Sequence, residues 1–306
     1  MLRLVPTPLA DVLRDAMTRL ASVTDVARSD AEELLSRVVG MERGDVRAPD
    51  APPLSDKAQA RFESWLMRRL AGEPVQYITG RAAFRHLDLA VDRRVLIPRP
   101  ETEGLVEAVL DVLAAERASW FKPGVLDLGT GSGAIALSIA HEWPAARVTA
   151  SDASPDALEL ARENAAALLL SGRVTFVRGH WFEAVAADER FEVVVSNPPY
   201  IAPAEADSLP DDVLDWEPHM ALFAENDGLA ALREIVDEAP RHLVAGGLLA
   251  LELAEERARE VAGWLEGAHD WASVELREDL SGRPRVLLAR REHGPAIAPA
   301  QWGEER

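Results

Sequence analysis

From Pro123 onward the chain repeats one pattern: an apolar run, a loop, then an amphipathic segment. No other feature restricts the possible folds as strongly. Strands are predicted over 124–128, 147–151, 173–177, 191–196, 247–253, 272–278 and 285–290, and helices over 133–142, 155–170, 226–239 and 255–266. Alternating strands and helices imply a mostly parallel sheet covered on both faces. Ser154 followed by Pro155 marks a helix start, a capping hydroxyl with proline in the first helical position. Only a turn around Ser281 and Gly282 separates the last two strands, which are therefore predicted to pair antiparallel.

The N-terminal part has a different texture. Leu9, Val12, Leu13, Ala16 and Leu20 recur at helical spacing, as do Ala31, Leu34, Leu35, Val38 and Val39. After a Pro-rich break at 49–53, Phe62, Trp65, Leu66 and Leu70 line one face of a further helix. From Arg81 to Pro98 the rhythm is strand-like through Phe84, Leu87, Leu89 and Val91, then Val95, Leu96 and Ile97, predicting a β-hairpin that joins two domains. The expected organisation is a helical domain over 1–80, a hairpin linker over 81–98, a catalytic domain over 99–290 and a flexible tail over 291–306.

Charge follows the same division. The 306 residues carry 52 Asp and Glu against 33 Lys and Arg, a net charge of −19. Residues 1–90 hold 13 of each sign, so the whole excess falls on 91–306. An isoelectric point near 4.8 speaks against generic nucleic-acid binding and against an anionic membrane surface as partner. The chain has no cysteine, which excludes disulfides, thiol nucleophiles and Cys-ligated zinc. Pro6, Pro8 and Asp11 interrupt what would be the apolar core of a signal peptide, and no apolar run approaches a membrane span. A cytoplasmic location is expected, and no metal site.

Two motifs carry chemistry. The first is Val125-Leu126-Asp127-Leu128-Gly129-Thr130-Gly131-Ser132-Gly133, an apolar strand running into a glycine-rich turn before a helix. Glycines let a ligand approach the backbone closely. Asp152 ends the next predicted strand, where a carboxylate suits a grip on ribose hydroxyls. The second is Ser196-Asn197-Pro198-Pro199-Tyr200 at the end of the apolar strand Val193-Val194-Val195. Its two prolines remove N–H donors. What remains is rich in acceptors: carbonyl oxygens, the Asn197 amide and the Tyr200 ring as a flat wall. Such a pocket suits a planar group bearing NH₂, with Asn197 Oδ1 and the Pro198 carbonyl accepting and Tyr200 stacking. In a doubly wound sheet the first and fourth strands lie side by side at the switch point, so the two motifs are expected to face each other.

The combination resembles the class I S-adenosylmethionine-dependent methyltransferases with an Asn-Pro-Pro-Tyr motif, and within them the protein-(glutamine-N5) methyltransferases of the HemK/PrmC family. Glu73–Gly80, Val95–Glu103 and Glu217–Leu222 leading to Asp227-Gly228-Leu229 carry the narrower likeness, which spans about residues 70–290. Leu251-Glu252-Leu253-Ala254 is a looser match, since the family typically has Gly after Glu. The resemblance implies a Rossmann-like seven-stranded sheet with antiparallel last strands and a small N-terminal helical bundle. It implies that Asp127, Leu128, Gly129, Thr130 and Gly131 line the methionine and ribose side of S-adenosylmethionine, that Asp152 holds the ribose and that Trp181 lies against adenine. Asn197, Pro198, Pro199 and Tyr200 would hold the acceptor, with Asn197 as the catalytic residue. The family usually has an acid where this chain has His180, which could accept from adenine in one tautomer only.

The implied reaction is methylation of the glutamine side-chain amide in the GGQ motif of peptide chain release factors, with the helical domain recognising the release factor body. An amide nitrogen is a poor nucleophile, so the protein's task is alignment and support of positive charge on nitrogen. No general base stands out; Glu101, Glu103 and Asp207 are near by location, and surface or capping roles suit them better. Two other readings are an amino-methyltransferase acting on a nucleobase in DNA or RNA, since a nucleobase also presents a flat NH₂, and a non-catalytic cofactor- or partner-binding module.

Overall fold

A computed structural model describes residues 8–48 and 50–293. In chain order its regular elements begin with α1 (Leu9–Leu20), α2 (Ala27–Val39), α3 (Asp56–Leu70), α4 (Val75–Thr79), β1 (Arg81–Phe84), β2 (Leu87–Ala90) and α5 (Pro100–Ala115). There follow β3 (Gly124–Leu128), α6 (Ala134–Glu142), β4 (Arg147–Asp152), α7 (Pro155–Ala167), β5 (Val174–Arg178) and β6 (Phe191–Ser196). The last are α8 (Asp211–Leu214), α9 (Glu225–Gly228), α10 (Ala230–His242), β7 (Leu243–Glu252), α11 (Glu255–Glu266), β8 (Trp271–Glu278) and β9 (Pro284–Arg291).

Two compact units divide these elements. One comprises the described residues through Ala82 together with Val91–Arg93 and Ser208–Glu217. The periodic apolar positions of α1 to α3 converge on one core, with Leu9, Leu20, Leu34, Leu35, Phe62 and Leu66 almost wholly buried. Ser55 caps α3 by accepting from the Ala58 N–H at 3.3 Å. Within this unit Arg69 is buried (5% exposed), and its Nε donates to Asp30 Oδ2 at 2.7 Å. Its Nη2 reaches Asp212 Oδ2 on α8 at 3.4 Å. Burial pushes the Asp30 carboxyl above its ordinary range while Arg69 pulls it back. Arg93 stacks over the Trp216 ring at 3.9 Å, a second tie for the same segment.

The other unit holds Ala83–Ala90, Arg94–Asp207 and the described residues from Pro218 on. Its seven-stranded sheet has the order β5-β4-β3-β6-β7-β9-β8. β3 to β7 are parallel, and β9 runs antiparallel between β7 and β8. Side chains alternate across β3: Val125 joins a core with α5 and α6, while Leu126 and Leu128 join a core with α10 and α11. Among the described residues no helix is long and apolar enough to cross a membrane.

Three local expectations differ from what is observed. Between Val91 and Ile97 the apolar side chains Val91, Val95 and Ile97 are buried, but the backbone there makes no strand; the ladder is confined to β1 and β2. An irregular segment can bury apolar side chains without pairing. The helix expected from 226 begins instead at Ala230, because Asn226 and Asp227 stand in the left-handed region at φ 52° and 55°. Gly228 follows at φ 81°, and a Cβ there would come within 2.3 Å of the Tyr200 carbonyl oxygen. Backbone approach that close admits only glycine. Of the expected tail, Arg291 closes β9 and the Glu292 N–H donates to Asp270 O at 2.7 Å. Residues 294–306 lie outside the described residues.

Arg69→Ala leaves Asp30 buried without its cation. It should destabilise the chain by about 3–5 kcal/mol in chemical denaturation. The double variant Arg69→Met, Asp30→Leu should regain most of that loss.

Candidate active site

The site begins with two strand ends held side by side. Leu128 of β3 pairs with Ser196 of β6, and the Ser196 hydroxyl donates to the Leu128 carbonyl at 2.7 Å, fully buried. The glycine loop leaves one strand and Asn197 leaves the other, so the motifs are neighbours, as the strand order predicts. The loop is pinned to β4, where the Gly129 and Thr130 N–H groups both donate to Ser151 O at 2.9 Å. Gly129 has φ 72°, and a Cβ on it would stand 3.3 Å from the Trp181 ring.

Asp127 lies under this loop with none of its surface exposed. Its Oδ2 accepts from Thr130 Oγ1 at 2.6 Å and from the Ala136 N–H at 3.2 Å, while Oδ1 has no partner. Burial pushes its carboxyl up to about 7; the Asp152 charge adds to the rise, and Thr130 and Ala136 oppose it. Asp152 is half-buried, accepting from the Gly131 N–H on Oδ2 and the Ser154 N–H on Oδ1, each at 2.9 Å. Burial raises its carboxyl as well, against those bonds.

These groups border a cavity of about 410 Å³, a size typical of small-molecule sites. Of the residues expected from the motifs, Gly129, Gly131, Asp152, Trp181, Asn197 and Pro199 line it. Asp127, Leu128, Thr130 and Pro198 are buried behind the wall. Tyr200 is partly buried, its hydroxyl 3.5 Å from Glu252 Oε1. The far wall comes from Arg94–Leu96 and from Met220 to Glu225. Trp181 opens a short 3₁₀ turn at φ 44°, and His180 Nδ1 is 3.2 Å from Glu234 Oε1. Among the described residues no group of three or more His, Asp or Glu could hold a metal ion. Glu101 and Asp207 are exposed, and Glu103 accepts the Arg85 N–H at 3.0 Å.

Two functional neighbours were not singled out from the motifs. Asn197 Nδ2 donates to Thr102 Oγ1 at 3.1 Å; Thr102, in the first turn of α5, is 4% exposed. Glu252, the last residue of β7, is 2% exposed, and burial pushes its carboxyl up to about 7. Register explains its position: Leu251 pairs with Ser196, which sets Glu252 beside Asn197. The available signal was a lone acid ending the apolar run Leu248-Leu249-Ala250-Leu251.

With the geometry established, known proteins can be compared. A family model described as PrmC N-terminal domain matches residues 11–80, and one described as methyltransferase small domain matches 106–211. A release factor glutamine methyltransferase of Cereibacter sphaeroides is 45% identical over 92% of this chain and 98% of its own. That of Deinococcus radiodurans is 40% identical over 94% and 99%. Among solved structures, the catalytic domain of hMettl16 in complex with the MAT2A 3′UTR hairpin 6 matches 80% of this chain and 84% of its own, at a TM-score of 0.52 and 14% identity, a likeness of fold alone.

The Asp127 carboxyl makes a prediction about pH. Its folded value lies above that of an unfolded aspartate, so the folded chain holds the proton that the unfolded chain has lost. The stability this adds is full below about pH 4 and is gone once pH has risen through about 7. Asp127→Asn removes this titration. Thermal unfolding midpoints of that variant without cofactor should fall less steeply between pH 5 and 8 than those of the parent.

Proposed function

The chain belongs to the release factor glutamine methyltransferase family and is a methyltransferase; from that premise we propose that it transfers a methyl group from S-adenosylmethionine to the side-chain amide nitrogen of the GGQ glutamine in peptide chain release factors. A cytoplasmic location accords with that acceptor.

The residues present suit the cofactor. A half-buried carboxylate (Asp152), a close-approach glycine (Gly129), the Trp181 ring and the His180 imidazole line one cavity. Asp152 is our choice for the ribose hydroxyls, Trp181 and His180 for adenine, and the Gly129–Gly131 backbone for the methionine side. Asp127, Leu128 and Thr130 serve from beneath by shaping the loop. When bound, the cofactor supplies an electrophilic methyl on a sulfonium leaving group.

One observation carries the acceptor assignment: the Asn197 side chain stands in the wall of the same cavity, followed by two prolines that contribute no N–H. Asn197 Oδ1 and the Pro198 carbonyl accept the two N–H bonds of the glutamine amide, with Tyr200 behind them. Acceptors on both hydrogens favour positive charge on nitrogen as it loses conjugation with its carbonyl. Water exclusion falls to the Met220–Glu225 wall and Pro199.

The test is label transfer from radioactive S-adenosylmethionine to intact release factor, to release factor with Gln→Ala in GGQ, and to DNA and RNA. Label on intact release factor alone is the expected result; label on nucleic acid alone overturns the reading. Asn197→Ala should cost about a hundredfold or more in turnover. Its affinity for the cofactor should stay near that of the parent by calorimetry.

A further inference from the structure

The side-chain amide of Asn197 has two ends of similar shape and opposite chemistry. Only Oδ1 can accept from a substrate N–H; with the amide reversed, NH₂ would meet NH₂. Something must therefore hold the amide one way round. An Asn side-chain oxygen ordinarily turns back to accept the backbone N–H two residues on. Here that residue is Pro199, which has none. Local backbone thus leaves Oδ1 free and does not orient the amide.

The orienting contact comes from Nδ2, which donates to Thr102 Oγ1 at 3.1 Å. A hydroxyl can donate or accept, so Thr102 by itself does not enforce that direction. Its other neighbour does. The Glu252 carboxyl, buried at the end of β7, faces the Thr102 side chain, which favours its charged form. As a carboxylate it only accepts, which commits the Thr102 proton to it and leaves Oγ1 as an acceptor for Asn197.

We propose that Thr102 and Glu252 are positioning residues that set the direction of the Asn197 amide: Glu252 takes the Thr102 hydroxyl proton, Thr102 takes an N–H from Asn197, and Asn197 Oδ1 is turned to the acceptor. The inference rests on the reading of this site as a side-chain amide methyltransferase. Neither residue lines the cavity, so both act through Asn197. Ionisation of Glu252 decides the chain's direction, since a protonated Glu252 can donate to Thr102 and release the hydroxyl to donate toward Asn197. The groups facing this carboxyl are Thr102 and Glu101 from α5, Arg285 from β9 and Tyr200 after β6. Arg285 and the two hydroxyls favour the carboxylate; burial and Glu101 disfavour it, leaving it near 7. Glu252 Oε2 has no partner, so no further contact locks its state. Activity should therefore rise with pH through about 7.

Thr102→Val replaces the hydroxyl by a methyl of the same shape. We expect kcat on release factor to fall about ten- to a hundredfold, with cofactor affinity by calorimetry within about threefold of the parent. Thr102→Ser should recover kcat to within about threefold of the parent. Glu252→Gln, which can present either end to Thr102, should lower kcat and abolish the rise through pH 7. A readout independent of activity is the nuclear Overhauser contact between the Asn197 side-chain amide protons and the Thr102 methyl in the free protein, present in the parent at pH 8 and lost in Glu252→Gln. The proposal is overturned if Thr102→Val keeps the parent's kcat, if Thr102→Ser falls as far as Thr102→Val, or if the Overhauser contact persists in Glu252→Gln. Should the parent methylate no release factor, the functional reading fails on that result, while the Overhauser contact still decides the hydrogen-bond direction.

Discussion

One buried hydrogen bond joins everything the site depends on: Ser196 Oγ to the carbonyl of Leu128, at 2.7 Å. It ties the ends of β3 and β6, the two strands from which the glycine loop and the Asn197 segment depart. Parallel pairing brings the strands together from Val125 to Leu128, and the hydroxyl adds a bond at the point where the ladder stops. Beyond it, each motif is held by its own strand's other neighbour. Ser151 of β4 takes the loop's Gly129 and Thr130 N–H groups, and Glu252 at the end of β7 backs the Asn197 segment through Thr102. The ends of β4, β3 and β6 thus meet at one cavity, as expected where strand order reverses in an open parallel sheet.

The parts legible in the sequence are those whose cause is local. The glycine loop, Asp152 and the Asn-Pro-Pro-Tyr segment announce themselves because glycine, proline and a strand-ending acid have backbone meanings at their own positions. The antiparallel last strands follow from a short turn. Thr102 and Glu252 were hidden because their meaning is long-range: 95 residues separate Thr102 from Asn197, and sheet register alone brings Glu252 there. The late start of α10 was hidden for a related reason. Asn226 and Asp227 tolerate the left-handed region, but what requires it is Gly228 pressed against the Tyr200 carbonyl. The apolar spacing from Val91 to Ile97 misled because strands and irregular chain both bury apolar side chains.

The acidity of residues 91–306 looks different once placed. Asp127, Asp152 and Glu252 are not part of a solvated surface; burial raises all three. Asp127 and Asp152 are held by N–H and O–H donors, Thr130 and Ala136 for the first and Gly131 and Ser154 for the second, whereas Glu252 has the Tyr200 and Thr102 hydroxyls and also the Arg285 charge. Contrast Glu142, whose carboxylate is paired with Arg85 at 2.6 Å and held below its ordinary range. Arginine pairing is found on the exterior of this unit, whereas hydrogen-bond donors hold Asp127 and Asp152 at the strand ends.

What the fold does not decide is the acceptor. The hMettl16 catalytic domain, solved with an RNA hairpin, has a comparable sheet at 14% identity. A flat NH₂ is common to a nucleobase and to a glutamine side chain, so two acceptors and an aromatic ring could serve either. Discrimination therefore has to come from outside the acceptor pocket. In this chain the candidates are compositional as well as structural: residues 11–80 match the PrmC N-terminal domain, and the first 90 residues, neutral overall, precede residues 91–306, which bear the entire net charge of −19. A polyanion would meet that charge unfavourably at long range, before any contact with the pocket. A protein acceptor need not, because its own surface can present either sign. In the proposed reading the pocket selects the functional group, and the charge and the helical unit select the molecule that carries it.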